Sequence, residues 1–141
     1  KPTVVCICGS TKFFERHYIE RWKMERTGRF ICLAINYIPG AYAETIGLNG
    51  HDHFGEQLGL KEVLDELHLR KIDLAAEVFV VNVGGYVGNS TQREIAYAIA
   101  TGKPVRFLEP KAGETMLSER SHAIGKQVAE FVAVALPLEG R

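Results

Sequence analysis

The sequence predicts an α/β fold, with a parallel sheet covered by helices on both faces. Three observations carry this. Short, continuous β-favouring runs recur along the chain, as expected for strands buried on both sides. Segments of helical period separate them. The runs end in turns rich in glycine and hydroxyl groups.

In chain order, "TVVCIC" (3–8) is the first buried strand, and "GSTKF" turns the chain after it. Residues 13–27 place Phe14, Tyr18, Ile19 and Trp22 at helical spacing, and Gly28 ends that helix. "FICLAI" (30–35) is the second strand. Residues 36–59 lack clear periodicity and are expected to form a lid or binding loop. Residues 60–75 read as an amphipathic helix whose inner stripe is Leu60, Val63, Leu64, Leu67, Ile72 and Leu74. "EVFVVNV" (77–83) is the third strand, followed by a glycine-rich loop and a helix running to about Ala100. Gly102 suits the position after that helix, and "KPVRFLE" is the fourth strand. A mobile linker around 110–118 and a last helix near 120–136 complete the chain, read as a single domain over 1–141.

Composition narrows the function classes. The chain has 141 residues, 46% hydrophobic and 24% charged, with a formal net charge of zero. Such a balance argues against binding a nucleic-acid polymer through a broad basic field. No apolar run approaches the roughly 18 residues that span a bilayer, and the first ten residues lack a signal pattern. Cys6 and Cys8 share a face of the first strand, which reads as a buried thiol pair in a reducing cytoplasm. A zinc site needs further ligands at suitable spacing, and none is evident from the spacing of the cysteines.

On a parallel sheet, ligands bind beyond the carboxyl ends of the strands. The loops there are 9–12, 36–59, 84–93 and 109–114. Gly9, Ser10, Thr11 and Lys12 suit a phosphate, although the spacing is not that of a Walker A loop. The bland alternative is a turn in which Ser10 or Thr11 caps the next helix. Gly84, Gly85 and Gly88 with Asn89, Ser90 and Thr91 form a second candidate anion cradle, or a loop ending in a cap. Thr91-Gln92-Arg93-Glu94 matches a capping box. The same Glu94, ionised and oriented near a helix start, is equally suited to attack a sugar carbon. Asp65, His68 and Asp73 on the 60–75 helix are either solvated or catalytic. His51, Asp52, His53 and Glu56 are too few and too close for a convincing metal site. Tyr37, Tyr42, His53 and Phe54 are candidates for stacking on a base.

The segments "CICGSTKF" and "DELHLRKIDLAAEVFVVNVGGYVGNSTQREIAYAIATGKPV", with their spacing, resemble the nucleoside 2-deoxyribosyltransferase superfamily, which includes nucleoside 5′-monophosphate N-glycosidases. The resemblance covers roughly residues 3–109. It implies a flavodoxin- or Rossmann-like three-layer sandwich, with a parallel sheet of four to five strands, and a homodimer or higher assembly. It also implies a glutamate nucleophile at the position of Glu94. The 5′-phosphate would be held by Gly9, Ser10 and Thr11 and by Gly88 and Ser90. Two departures stand out. His68 occupies the place of the family's usual aspartate, with Asp65 and Asp73 about a turn to either side, and Ala76 stands where an acid is common.

The expected activity is cleavage of the N-glycosidic bond of a nucleotide or nucleoside, most readily a nucleoside 5′-monophosphate, by hydrolysis or base transfer. Glu94 is the expected nucleophile, His68, Asp73 or water the proton donor, and Gly9, Ser10, Thr11, Lys12, Gly88, Asn89 and Ser90 the binding residues. This chemistry requires no cofactor and no metal. The alternative is a non-catalytic nucleotide-binding or sensing module with Glu94 as a cap, and a flavin-binding protein is a third reading.

Overall fold

The computed structural model describes residues 1–36, 38, 40–48 and 59–139; for Gly40 and residues 135–139 it describes the backbone alone. Four strands form one all-parallel sheet: β1 (Thr3–Cys8), β2 (Phe30–Leu33), β3 (Glu77–Val80) and β4 (Val105–Phe107). Their order is β2-β1-β3-β4. Register places Cys6 beside Leu33 and Val78, and Cys8 beside Val80. Among the described residues there are six α-helices: α1 (Phe14–Glu25), α2 (Gly40–Thr45), α3 (Lys61–Leu74), α4 (Asn89–Ala100), α5 (Pro110–Glu119) and α6 (Ser121–Glu139).

Alternation along the strands sends side chains to two separate cores. Cys6, Cys8, Val78 and Val80 pack with Leu69 and Ile72 of α3, Ile95 and Ala98 of α4, Met116 of α5 and Ile124 of α6. Val5, Ile7, Phe79 and Val81 face the other way, towards Phe13, Phe30 and Met24 of α1. The result is an α/β sandwich of three layers, as the strand and helix pattern predicted.

Several elements depart from the sequence expectation. The stretch 110–118 is not a linker but α5. Pro110 stands in its first turn, where proline is already set for a helix. Gly113 is there for contact: a Cβ at this position would collide with the Phe107 ring. Part of the expected long loop is helical, as α2. β3 ends at Val80, although Val81 N–H still donates to the Cys8 carbonyl at 2.8 Å.

The faces of the helices differ most. Of the expected inner stripe of α3, only Ile72 is buried; Leu60, Val63, Leu64, Leu67 and Leu74 are 43–73% exposed. The buried face instead carries His68, Leu69 and Ile72. It is selected by β1, whose Cys6 and Cys8 point at His68. Similarly, α1 buries His17 and Glu20 and leaves Trp22 exposed. No helix among the described residues is long and apolar enough to cross a membrane.

Candidate active site

The strand order reverses between β1 and β3: the chain leaves β1 for β2 on one side and returns to β3 on the other. Crevices at such a switch point are the usual ligand sites of open parallel sheets. Here the two strand ends approach closely. Gly9 has φ +144, and a Cβ on it would stand 2.8 Å from the Val81 carbonyl oxygen. Only glycine fits without shifting one strand against the other. Beneath this turn lies the fully buried His17, whose Nε2 would stand 3.1 Å from a Cβ on Gly9. Burial lowers it to about 4, so it supports the turn as a neutral imidazole.

Glu94 does not cap a helix. α4 begins at Asn89, two residues before Thr91, with Gly88 as its N-cap. Glu94 is therefore in the second turn, and the capping-box pairing expected from Thr91-x-x-Glu94 is absent. Gly88 has no side chain to offer, so no side-chain cap closes this end of α4. Open N–H groups at a helix start suit an anion. The dipole acts mainly within the first turn, and in the second turn burial prevails. Glu94 is only 7% exposed, and burial pushes its carboxyl up to about 7 against the pull of His68.

Around Glu94 stand three buried groups from distant parts of the chain. His68 Nε2 lies 3.5 Å from the sulfur of Cys6 and 3.5 Å from that of Cys8. The Cys8 thiol and the Glu94 carboxyl influence each other, Glu94 raising Cys8 and Cys8 lowering Glu94. Burial opposes a charge on His68, yet the carboxylate of Glu94 and the sulfur of Cys6 outweigh it and raise the imidazole to about 9. The hydrogen bond from Cys8 is the main cause that brings Cys6 down to about 5, against burial and with help from His68. Cys8 is pushed well up by the same bond and by burial. The shifts favour the charged form of His68, a thiolate within the Cys6–Cys8 pair and the neutral form of Glu94. A buried imidazole, two thiols and a carboxyl thus share one site.

The rim is polar. Lys12 Nζ sits 3.4 Å from the centroid of the Tyr86 ring, so the turn after β1 meets the loop after β3. Phe13 packs edge-on against Tyr86 at 6.0 Å. On the other side Lys61 Nζ donates to Ser90 Oγ at 2.9 Å and to Asp65 at 2.7 Å. Lys61, Asp65 and His68 fall four and then three apart on α3, and they face Ser90 and Glu94, four apart on α4. The loop after β3 is fastened from behind. Asn82 Nδ2 donates to the Glu109 carbonyl at 3.0 Å, Glu109 N–H returns a bond to Asn82 at 2.8 Å, and Gly84 N–H donates to the Glu109 carboxylate at 2.6 Å.

The structure therefore brings Glu94 and His68 together, and ties Lys12 and Ser90 into the rim around them. Ser10 accepts from Lys12 N–H at 3.3 Å and so caps the 3₁₀ turn Thr11–Phe13. Gly88 is the N-cap of α4, and Asn89 is its exposed first residue. Asp73 does not join the cluster. Tyr97 donates to it at 2.6 Å and Arg70 lies 3.4 Å away, so it belongs to a surface network. The aspartate felt by Glu94 is Asp65, whose charge raises it. Tyr42 is exposed on α2; Tyr37, His51, Asp52, His53, Phe54 and Glu56 lie outside the described residues.

Sequence reasoning missed Lys61, Tyr86, Asn82, Glu109 and His17. A polar Asn82 inside an apolar run and a histidine on the inner side of α1 were the available signals. A shallow depression lined by Thr3, Arg29 and Phe30 lies at the amino-terminal edge of the strands, away from this cluster. No protein-family model and no curated protein matches the chain.

Proposed function

We propose that this chain cleaves the N-glycosidic bond of a nucleoside 5′-monophosphate, by hydrolysis or by transfer to another base, with Glu94 as nucleophile. The observation that carries the reading is a buried carboxylate, freed from capping, that shares the switch-point site with a protonated His68. In the first step Glu94 forms a bond to C1′ as the C1′–N bond breaks, and the base leaves with the proton of His68. In the second step water, or an acceptor base, attacks C1′ and releases the carboxylate, and His68 takes the nucleophile's proton. Both groups are then restored, and the configuration at C1′ is retained.

The rim supports a phosphate-bearing substrate. The uncapped start of α4 offers N–H groups, Ser90 offers a hydroxyl, and Lys12 and Lys61 offer cations. Asp65, ion-paired to Lys61, raises Glu94 by its charge, whereas Asp73, the other candidate proton donor from sequence, lies in the surface network with Tyr97 and Arg70. The exposed stripe Leu60, Val63, Leu64, Leu67 and Leu74 supports a homodimer built on α3. Three free cysteines fit a reducing cytoplasm.

The test is a panel of nucleoside 5′-monophosphates incubated with the protein, with free base followed by chromatography. Base release from at least one of them is expected. Tight binding with no release, and no exchange between bases, would return the protein to the non-catalytic nucleotide-binding alternative.

A further inference from the structure

We propose that Cys6, Cys8 and His68 form a binding site for a thiophilic divalent cation, with zinc the best fit. Three observations on this chain carry it. Cys6 and Cys8 are alternate residues of β1, so both thiols leave the strand on the α3 side. His68 presents one ring nitrogen, Nε2, at 3.5 Å from each sulfur. The three ligand atoms lie within 4.8 Å of one another, and all three residues are buried.

The distances suit the metal. Tetrahedral zinc with Zn–S of about 2.3 Å and Zn–N of about 2.0–2.1 Å requires S···N separations of about 3.5 Å. Two sulfurs and an imidazole are also the donors that soft and borderline cations prefer over magnesium or calcium. Three protein ligands leave the fourth tetrahedral position to a bound water. Binding needs both sulfurs as thiolates and His68 as neutral imidazole, so it expels the protons these groups carry into solvent.

Occupation takes His68, as a metal ligand, out of the glycosidic chemistry. That consequence rests on the function proposed above, whereas the binding itself does not. A metal-loaded chain is thus expected to be inactive, and a chelator restores it.

The experiment uses the whole reduced chain, stripped with chelator and titrated with Co²⁺ as a spectroscopic probe. One cobalt per chain is expected, with thiolate-to-cobalt charge-transfer absorption and tetrahedral d–d bands, both displaced by Zn²⁺. Cys32, the remaining thiol, is half-buried elsewhere; Cys32→Ser retains the bands. Cys6→Ser and Cys8→Ser lose them while circular dichroism stays native. Should either variant fail to fold, the wild type and Cys32→Ser still decide, because Zn²⁺ raises the melting temperature of both. Absence of a charge-transfer band in the wild type, its loss in Cys32→Ser, or its survival in folded Cys6→Ser and Cys8→Ser would overturn the site. Metal binding is read without substrate, so its failure is distinct from failure of base release.

Discussion

The two faces of α3 are inverted with respect to an ordinary amphipathic helix. The face turned to the sheet carries His68 beside Leu69 and Ile72, and the face turned to solvent carries Val63, Leu64, Leu67 and Leu74. A helix normally buries its apolar stripe to remove it from water. Here a histidine holds the inner position because two cysteines and a glutamate meet it there. The contrast separates two jobs. Polar groups kept inside at a cost in desolvation mark chemistry, and apolar groups left outside mark a surface awaiting a partner.

The largest effect is expected on the inner side. Glu94→Gln removes the proposed nucleophile without changing shape, so base release is expected to fall by about a thousandfold or more while the fold is kept. A smaller loss would mean that the buried carboxylate only assists. The next effect is on pH dependence. Glu94 must be ionised and His68 protonated, and their values are about 7 and about 9. The kcat/KM profile therefore rises through about pH 7 and falls through about pH 9. His68→Gln removes the alkaline limb and costs about 10²–10⁴ in rate; an unchanged limb would give the proton to another group.

The outer side sharpens the same contrast from below. Leu64→Glu combined with Leu67→Glu places two charges on the exposed stripe. Sedimentation is expected to show a dimer in the wild type and a monomer in the variant. The circular dichroism of the variant stays native, since neither side chain is in the core. If the wild type already sediments as a monomer, the stripe has another purpose.

Much of the fold was legible because buried strands write continuous apolar runs, and "TVVCIC" and "EVFVV" read as such without any partner. The place of Glu94 after the third strand was legible for the same reason. Its local role was not. Thr91 and Glu94 match a capping box, but the helix starts earlier, at Asn89, where Gly88 lies so close to Tyr86 that an added Cβ would be 3.3 Å from its hydroxyl. The cluster around Glu94 was hidden because its members come from β1, α3 and α4, about 60 and 25 residues apart, and only the sheet's register assembles them. Helix faces were misread because hydrophobic periodicity reports which residues avoid water, without saying whether the cover comes from this chain.

The central claim is that Glu94 carries a covalent bond to the sugar during turnover. A 2-fluoro-2-deoxy nucleoside 5′-monophosphate slows breakdown of such an intermediate more than its formation, so the adduct accumulates and survives proteolysis. Peptide mass spectrometry of the trapped protein is expected to find the glycosyl phosphate on Glu94, and to find none in Glu94→Gln. An adduct on Cys6, His68 or Asp65, or steady base release with no adduct in the wild type, would contradict the account.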